Sequence, residues 1–413
     1  MSAHRLSDEL AQQAIDACAQ YGGTYKAAAV LHLPRSTMMN RLVEARERNL
    51  TPSPHLFDKS NPKHLSETIR QLEKQLAAEQ KASLDHATIR RRIIGLQKSI
   101  ETLEIPDWML DVRASTSAPG TPTLLCSDWH AGEVVKASQI GGVNRYNMDI
   151  FKARIQTLLE STIKLLRIIS PKMEYPGIVV PLGGDMVSGN IHEELRTTNE
   201  LETMPTVIEL YGVISWMIEE MLKHFPHIFL PCVSGNHGRN TLKIWNKDRH
   251  HTNFDWLLYG FLAKRFEDNS RITFFVPDGP DAYYRVYDQR ILLTHGDQFR
   301  GGDGMIGALG PIIRGDHKKR SRNAQVKMEY DIMLLGHWHQ YIHLTRLIVN
   351  GSLKGYDEYA YANNFPFESP TQALWLTHPK YGITYRMPVY VDPKLRAVEK
   401  TPWVSVPRTK GGA

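Results

Sequence analysis

Five short apolar runs between residues 123 and 340 each lead into polar residues of a similar chemical kind, and this series constrains the fold more than any other feature. Short apolar runs bounded by turn residues are typical of strands buried in a parallel sheet. Because the carboxyl ends of parallel strands meet at one edge, the polar side chains that follow are predicted to lie together. The runs 124–126, 178–182, 228–233, 291–293 and 332–335 lead in turn into Asp128-Trp129-His130, Gly184-Asp185, Gly235-Asn236-His237, Thr294-His295 and Gly336-His337-Trp338-His339.

The side chains at these strand ends are carboxylates, imidazoles and an amide, a mixture that suits Mn²⁺, Fe or Zn²⁺ rather than Ca²⁺ or a thiolate site. Seven such groups exceed what one metal ion needs. They suit two ions about 3.5 to 4 Å apart that share a carboxylate. Such a pair of ions clamps the attacking and leaving oxygens in phosphoryl transfer. The candidate ligands are Asp128, His130, Asp185, Asn236, His295, His337 and His339.

The order D-x-H, G-D, G-N-H, strand-end His and G-H-x-H, over residues 123–355, resembles the calcineurin-like metallophosphoesterase superfamily. The resemblance implies an α/β fold, a two-sheet α/β/β/α sandwich with helices outside. It also implies a division of the ligands: Asp128, His130 and His339 at one metal, Asn236, His295 and His337 at the other, and Asp185 bridging the two.

By the same resemblance, His237 is the catalytic residue that orients the phosphate and assists departure of the leaving oxygen without binding a metal. The implied reaction is hydrolysis of a phosphate ester by in-line attack of a metal-bound hydroxide. Two divalent metal ions are implied, with Mn²⁺ expected and Fe or Zn²⁺ as alternatives. We expect His192, Arg196 and Arg239, which flank the second and third motifs, to line the substrate path.

Residues 1–50 are predicted to form a small all-α domain. Apolar residues fall at helical spacing from Leu10, Gly22-Gly23 interrupts the pattern, and an alanine-rich helix follows before the connector His32-Leu33-Pro34. The pattern resembles helix-turn-helix domains of bacterial and phage DNA-binding proteins, with hydroxyl residues capping the third helix. A protein-binding helical bundle is the alternative. The implied DNA contacts are Arg35, Ser36, Thr37, Asn40 and Arg41.

The remaining chain divides into three parts. Residues 51–113 are predicted to be a linker and two helices, whose apolar stripes between residues 63 and 104 form a hairpin within one chain or a homodimeric coiled coil. Residues 114–391 form the predicted phosphoesterase domain, and residues 392–413 a flexible tail.

Composition excludes several classes of protein. The 413 residues include three widely spaced cysteines without a C-x-x-C pair, which excludes a disulfide scaffold. The same cysteine usage predicts a reducing cytoplasm. No apolar run reaches about 18 residues, so we expect no membrane span. The net charge of +6 permits a polyanionic partner without requiring one.

The segments that flank the motifs bear on which phosphate ester is the substrate. The glycine-rich residues 301–304 and the basic residues between 314 and 327 are predicted to form a flexible loop that tracks a nucleic-acid backbone, with a solvated basic loop as the alternative. Residues 245–256 mix aromatic and cationic side chains, although Trp256 is equally typical of a buried helix face. Between the second and third motifs, Ile208, Tyr211, Ile214 and Met217 are predicted to be part of the hydrophobic core.

Together these features favour a nuclease that hydrolyses DNA, similar to the DNA repair exonuclease branch of the superfamily and encoded by a phage or prophage. One alternative is a phosphomonoesterase or nucleotide hydrolase that its N-terminal domain recruits to a partner. Another is a non-catalytic DNA-binding regulatory protein.

Overall fold

A computed structural model describes residues 7–53, 119–300, 307–392 and 404. The chain separates into two compact units, Met1–Ser99 and Ile100–Ala413. The predicted helices between residues 63 and 104, the glycine-rich residues 301–304 and most of the predicted tail lie outside the described residues.

The first unit contains three short helices, α1 (Asp8–Tyr21), α2 (Thr24–Val30) and α3 (Arg35–Glu47). Helix α1 begins where the Ser7 side chain accepts a hydrogen bond from the Leu10 N–H, and it ends at Gly22, whose left-handed conformation (φ 73°) favours glycine. Ala14, Ala27, Met38 and Leu42 pack into a small common core.

Helix α3 begins without a side-chain cap, so the predicted role of the hydroxyls at its start is wrong. Pro34 occupies the capping position, and Arg35 is already helical. Ser36 and Thr37 therefore lie inside the first turn, where a side chain cannot serve as the helix cap.

The second unit contains two sheets among its described residues. Their strands are β1 (Thr121–Leu125), β2 (Ile178–Val179), β3 (Ile228–Pro231), β4 (Ile272–Phe275), β5 (Asp281–Val286), β6 (Gln289–Thr294), β7 (Ile332–Leu335), β8 (Ile342–His343), β9 (Leu347–Val349), β10 (Thr371–His378) and β11 (Gly382–Tyr390). The first sheet, ordered β11-β10-β1-β2-β3-β4, and the second, ordered β5-β6-β7-β9-β8, share a core that includes Leu125, Phe229, Leu293 and Ile348.

Helices cover the outer faces, which confirms the predicted mixed α/β arrangement of two sheets. Helices α4 (Met148–Ile169), α6 (Thr203–Met221) and α7 (Phe254–Arg265) pack together, and α4 and α7 also contact strands β11 and β4 of the first sheet. Ile312 of α8 (Leu309–Gln325) packs against the second sheet. Two shorter helices are α5 (Glu193–Thr198) and α9 (Glu358–Ala362). None of the described helices is long and apolar enough to cross a membrane.

Two expectations about individual segments are wrong. The basic residues from Arg314 to Arg322 belong to helix α8 rather than to a loop, and Lys319 is buried against Asp281 with an N–O distance of 2.6 Å. Ile208, predicted as core, is 70% exposed, because the apolar stripe of α6 that faces inward includes Ile214 and Met217 instead.

Candidate metal centre

The candidate ligands follow strands whose carboxyl ends reach the same region of the molecule. Strands β1, β2 and β3 are parallel neighbours, and the polar motifs come directly after them. Strands β6 and β7 are parallel in the second sheet, and His295 and His337 come directly after those. The structure thereby brings together side chains from residues 128 to 339.

Three of these side chains form a first cluster. The Nε2 atoms of His130 and His339 lie 3.0 Å apart, and the His339 Nε2 lies 3.4 Å from Asp128 Oδ1. Asp128 and His130 are buried, and all three ligand atoms lie within 4.8 Å of one another. Two imidazole nitrogens and a carboxylate directed at one point are donors that suit a divalent metal ion.

A second cluster combines Asp185, His295 and His337, whose ligand atoms also lie within 4.8 Å of one another. The Nε2 of His295 lies 2.9 Å from Asp185 Oδ2 and 3.1 Å from the Asn236 amide oxygen. Each predicted group of ligands is therefore assembled, with Asn236 beside His295 and Asp185 in the second cluster.

Hydrogen bonds hold the carboxylates and one imidazole in place. The backbone N–H of His337 donates to Asp128 Oδ1 at 2.8 Å, and that of His237 donates to Asp185 Oδ1 at 2.7 Å. The Nδ1 of His295 lies 2.8 Å from the Gly183 carbonyl, to which it can only donate. Nε2 is therefore the nitrogen that faces the cluster. Burial works to lower the pKa of His295, but Asp185 outweighs it and raises that pKa to about 10, so Nε2 would have to lose its proton on binding a metal ion.

Electrostatics keep the carboxylates ionised. Burial works to raise the pKa of Asp185, but His295, His237 and His130 outweigh it and lower that pKa well below its usual value. Burial, followed by the charge of His295, lowers the pKa of His337 to about 4. An ionised carboxylate and a neutral imidazole are the forms that bind metal ions.

The backbone at the ligands is strained. A residue other than glycine adopts a positive φ rarely, and such residues concentrate at functional sites because the surrounding structure must enforce them. Five of the seven candidate ligands have φ between 48° and 69°, in the left-handed region: Asp128, His130, Asp185, His337 and His339.

Asp255, which sequence reasoning missed, joins the turns after β2 and β3. Its carboxylate is completely buried and accepts hydrogen bonds from the N–H groups of Asp185 (2.9 Å) and Gly235 (3.0 Å). Burial, and then the charge of Asp185, raises the pKa of Asp255 to about 7. No local pattern identifies it, because it lies in the first turn of helix α7, where an acidic residue is ordinary.

A buried ion-pair network behind His130 was also missed. Lys354, which is 3% exposed, donates to Glu133 at 2.8 Å and pairs with Asp357 at 2.5 Å. Glu133 Oε2 lies 3.5 Å from His130 Nδ1, so its negative charge faces that ring without a hydrogen bond to it. Glu133 and Lys354 lie 221 residues apart, so no sequence spacing reveals their contact.

The residues predicted for catalysis and for the substrate path lie at different distances from the clusters. The His237 ring is 4.6 Å from that of His130 between centroids, and the exposed His192 ring is 5.5 Å from that of His237. Arg239 is half-buried and donates to the Asn236 carbonyl at 3.0 Å. Arg196 is exposed on helix α5, and no contact joins it to the clusters.

Known proteins resemble this chain only distantly. No protein-family model and no curated protein matches the chain. Similar solved structures include an uncharacterized protein, a predicted phosphoesterase, from Streptococcus pneumoniae (12% identity, TM-score 0.28, 68% of this chain and 97% of that chain). Another is Vps29 from Entamoeba histolytica in complex with Zn²⁺ (12% identity, TM-score 0.27, 65% and 99%). Scores of this size do not establish a shared fold.

We expect Asp255→Asn to weaken both the fold and metal binding. The new amide NH₂ would face backbone N–H donors, and each donor left unpaired in the interior costs about 1 to 3 kcal/mol. Urea unfolding and calorimetric titration with Mn²⁺ measure the two effects. Asp268→Asn, the same substitution at an exposed position shortly after helix α7, is the control and should alter neither stability nor Mn²⁺ affinity. Unchanged stability and Mn²⁺ affinity in Asp255→Asn would contradict the role assigned to this carboxylate.

Proposed function

We propose that this protein is a dinuclear metal-dependent phosphodiesterase of the calcineurin-like metallophosphoesterase superfamily, and that it hydrolyses DNA. The observation that supports phosphoester hydrolysis is the pair of clusters, Asp128 with His130 and His339, and Asp185 with His295 and His337. Asn236, whose amide oxygen lies 3.1 Å from His295 Nε2, completes the set of seven candidate ligands.

The donors present fit two divalent cations, for which Mn²⁺ is our first choice. When bound, such cations would supply a nucleophile at neutral pH and offset the charge of the phosphoryl oxygens. Asp185, whose pKa is held low, would keep its negative charge between the two positions.

His237 is the side chain proposed to contact the substrate. Its Nδ1 lies 2.9 Å from the Ser188 carbonyl, which leaves Nε2 as the nitrogen available to the phosphate. Its backbone N–H is bound to Asp185, and this bond fixes the ring beside the clusters. A positioned imidazole of this kind can donate a hydrogen bond to the departing oxygen. Arg239, anchored on Asn236, and His192 would help to hold the phosphate chain.

Two surfaces support DNA as the substrate. The first is the start of helix α3, where Arg35, Ser36 and Asn40 are exposed beside the exposed apolar Met39 and Val43. In helix-turn-helix proteins, the residues at the start of the second helix of the motif contact base edges in the major groove. Thr37 and Arg41 are partly buried, and they would contribute less surface.

The second surface, here called the aromatic ridge, consists of Tyr359, Tyr361, Phe365 and Phe367, which are between 47% and 69% exposed. It begins next to Asp357, the residue that caps helix α9 and pairs with Lys354 behind His130. Exposed aromatic rings stack on unpaired bases of single-stranded nucleic acid. A positive or metal-containing site nearby can bind the phosphates that link those bases.

The decisive test is hydrolysis of end-labelled linear and closed circular DNA, single- and double-stranded, with Mn²⁺. We expect Asp185→Ala to abolish cleavage, because the carboxylate proposed to serve both metal positions is lost, and His237→Ala to reduce it about 100-fold or more. His317→Ala, on the exposed face of helix α8, is the control and should cleave normally. Release of phosphate from monoesters or nucleotides without cleavage of any DNA would contradict the nuclease proposal.

The aromatic ridge should matter for DNA and not for small substrates. We expect the double variant Tyr359→Ala/Phe365→Ala to raise the Kd for single-stranded DNA about 10-fold, since stacking contributes about 1 to 3 kcal/mol per base. Hydrolysis of a small aryl phosphodiester should not change.

Tyr381→Ala is the matched control for the ridge. Tyr381 is 69% exposed but lies in the turn between β10 and β11, beside the start of β1 and therefore at the opposite end of that strand from Asp128. An equal loss of DNA affinity in this control, or none in the ridge variant, would refute the stacking role.

The N-terminal unit should contribute to binding of double-stranded DNA and not to chemistry. We expect Arg35→Ala/Asn40→Ala in the full chain to weaken that binding about 10-fold or more, because each good base contact is worth about 1 to 3 kcal/mol. Hydrolysis of the small diester should stay at its original rate. Arg46→Ala removes one positive charge from the last turn of the same helix and is the control for general electrostatics. Fluorescence anisotropy at fixed salt measures all three proteins, and unchanged affinity in the double variant would refute the proposed contacts.

A further inference from the structure

A third cluster of candidate ligands lies outside the two already described. His250 and His251 form part of a short 3₁₀ turn (His250–Thr252) before helix α7, and Asp278 lies in the connection between β4 and β5. The Nε2 atoms of His250 and His251 lie 3.9 Å and 3.8 Å from the same oxygen of Asp278. All three ligand atoms are within 4.8 Å of one another.

The strongest indication of a ligand is the His250 side chain. It is 8% exposed, and its Nε2 is buried without a hydrogen-bond partner among the described residues. Buried polar atoms nearly always have a partner, and one without a partner calls for an explanation such as an ion. Burial, and then the neighbouring His251, lowers the pKa of His250 to about 4. The ring is therefore neutral near pH 7 and can offer a lone pair to a cation.

The distances suit a small tetrahedral cation. Ligand atoms about 2.0 to 2.1 Å from a tetrahedral Zn²⁺ lie roughly 3.4 Å from one another. The two observed separations of 3.8 and 3.9 Å need only a few tenths of an ångström of adjustment. Asp278 is 83% exposed, so it can turn toward the histidines at little cost. Two imidazoles and one carboxylate are a common donor set for Zn²⁺.

We infer that His250, His251 and Asp278 bind a third divalent cation of the Zn²⁺ class, separate from the paired clusters. The site connects the segment after β3 to the β4–β5 connection. That segment includes Arg249, which forms an ion pair with Asp297 at 2.5 Å, two residues beyond His295. The role assigned to the third cation is to hold this segment, with its arginines, beside the paired clusters. The inference does not depend on the proposed nuclease activity.

The test counts bound Zn²⁺ in the full-length protein by mass spectrometry after exhaustive dialysis. We expect Asp278→Asn and His251→Gln each to lose one equivalent relative to the unmodified chain. Asp288→Asn, at an exposed position in the turn between β5 and β6, is the control and should lose none. Circular dichroism establishes that each variant is folded. Because Asp278 and His251 lie in different segments, a folding defect in one variant would leave the other as an independent test.

A second arm isolates the site from the paired clusters. In Asp128→Asn/Asp185→Asn, added Zn²⁺ should still bind and should raise the Tm, and the further change Asp278→Asn should remove both effects. Equal zinc content in the unmodified chain, Asp278→Asn and His251→Gln would overturn the inference. So would the absence of a zinc-dependent rise in Tm in the variant that lacks Asp128 and Asp185.

Discussion

The approach of the turns after β2 and β3 is the constraint on which the metal centre depends. Gly184 and Gly235 lie so close that a Cβ on Gly184 would collide with the backbone of Gly235, and one on Gly235 would collide with Asp185. The buried carboxylate of Asp255 binds N–H groups from both turns and holds them together. Only with these turns in contact do Asp185 and Asn236, from neighbouring strands, reach the same His295.

Charge is balanced around the centre by partners from distant parts of the chain. Lys354 lies between Glu133 and Asp357, and Glu133 in turn lies behind His130. Removing one member of a buried ion pair costs about 3 to 5 kcal/mol, because the other charge stays buried. The same side chains therefore stabilise the fold and place a negative charge behind His130, so changes there would affect stability and metal binding together.

The surfaces around the metal centre, rather than its ligands, indicate which substrate it binds. The basic residues that the sequence placed in a loop form helix α8, and Lys319 is neutralised by Asp281, so that segment is a weaker candidate for DNA binding than its charge suggested. The aromatic ridge on and after helix α9 is the better candidate, because its rings are exposed and begin beside Asp357.

The sequence by itself determined the strands that precede the motifs and the order of polar residues after them, since both depend on neighbours within a few positions. The motifs named seven side chains, among them His130 and His339, whose Nε2 atoms lie 3.0 Å apart in the structure. The two-sheet α/β arrangement was implied by the family resemblance of those motifs. Only the tertiary structure revealed Asp255, the Lys354 network, and the meeting of His250 with Asp278. These depend on packing between segments far apart in the chain, and local periodicity contains no information about such contacts.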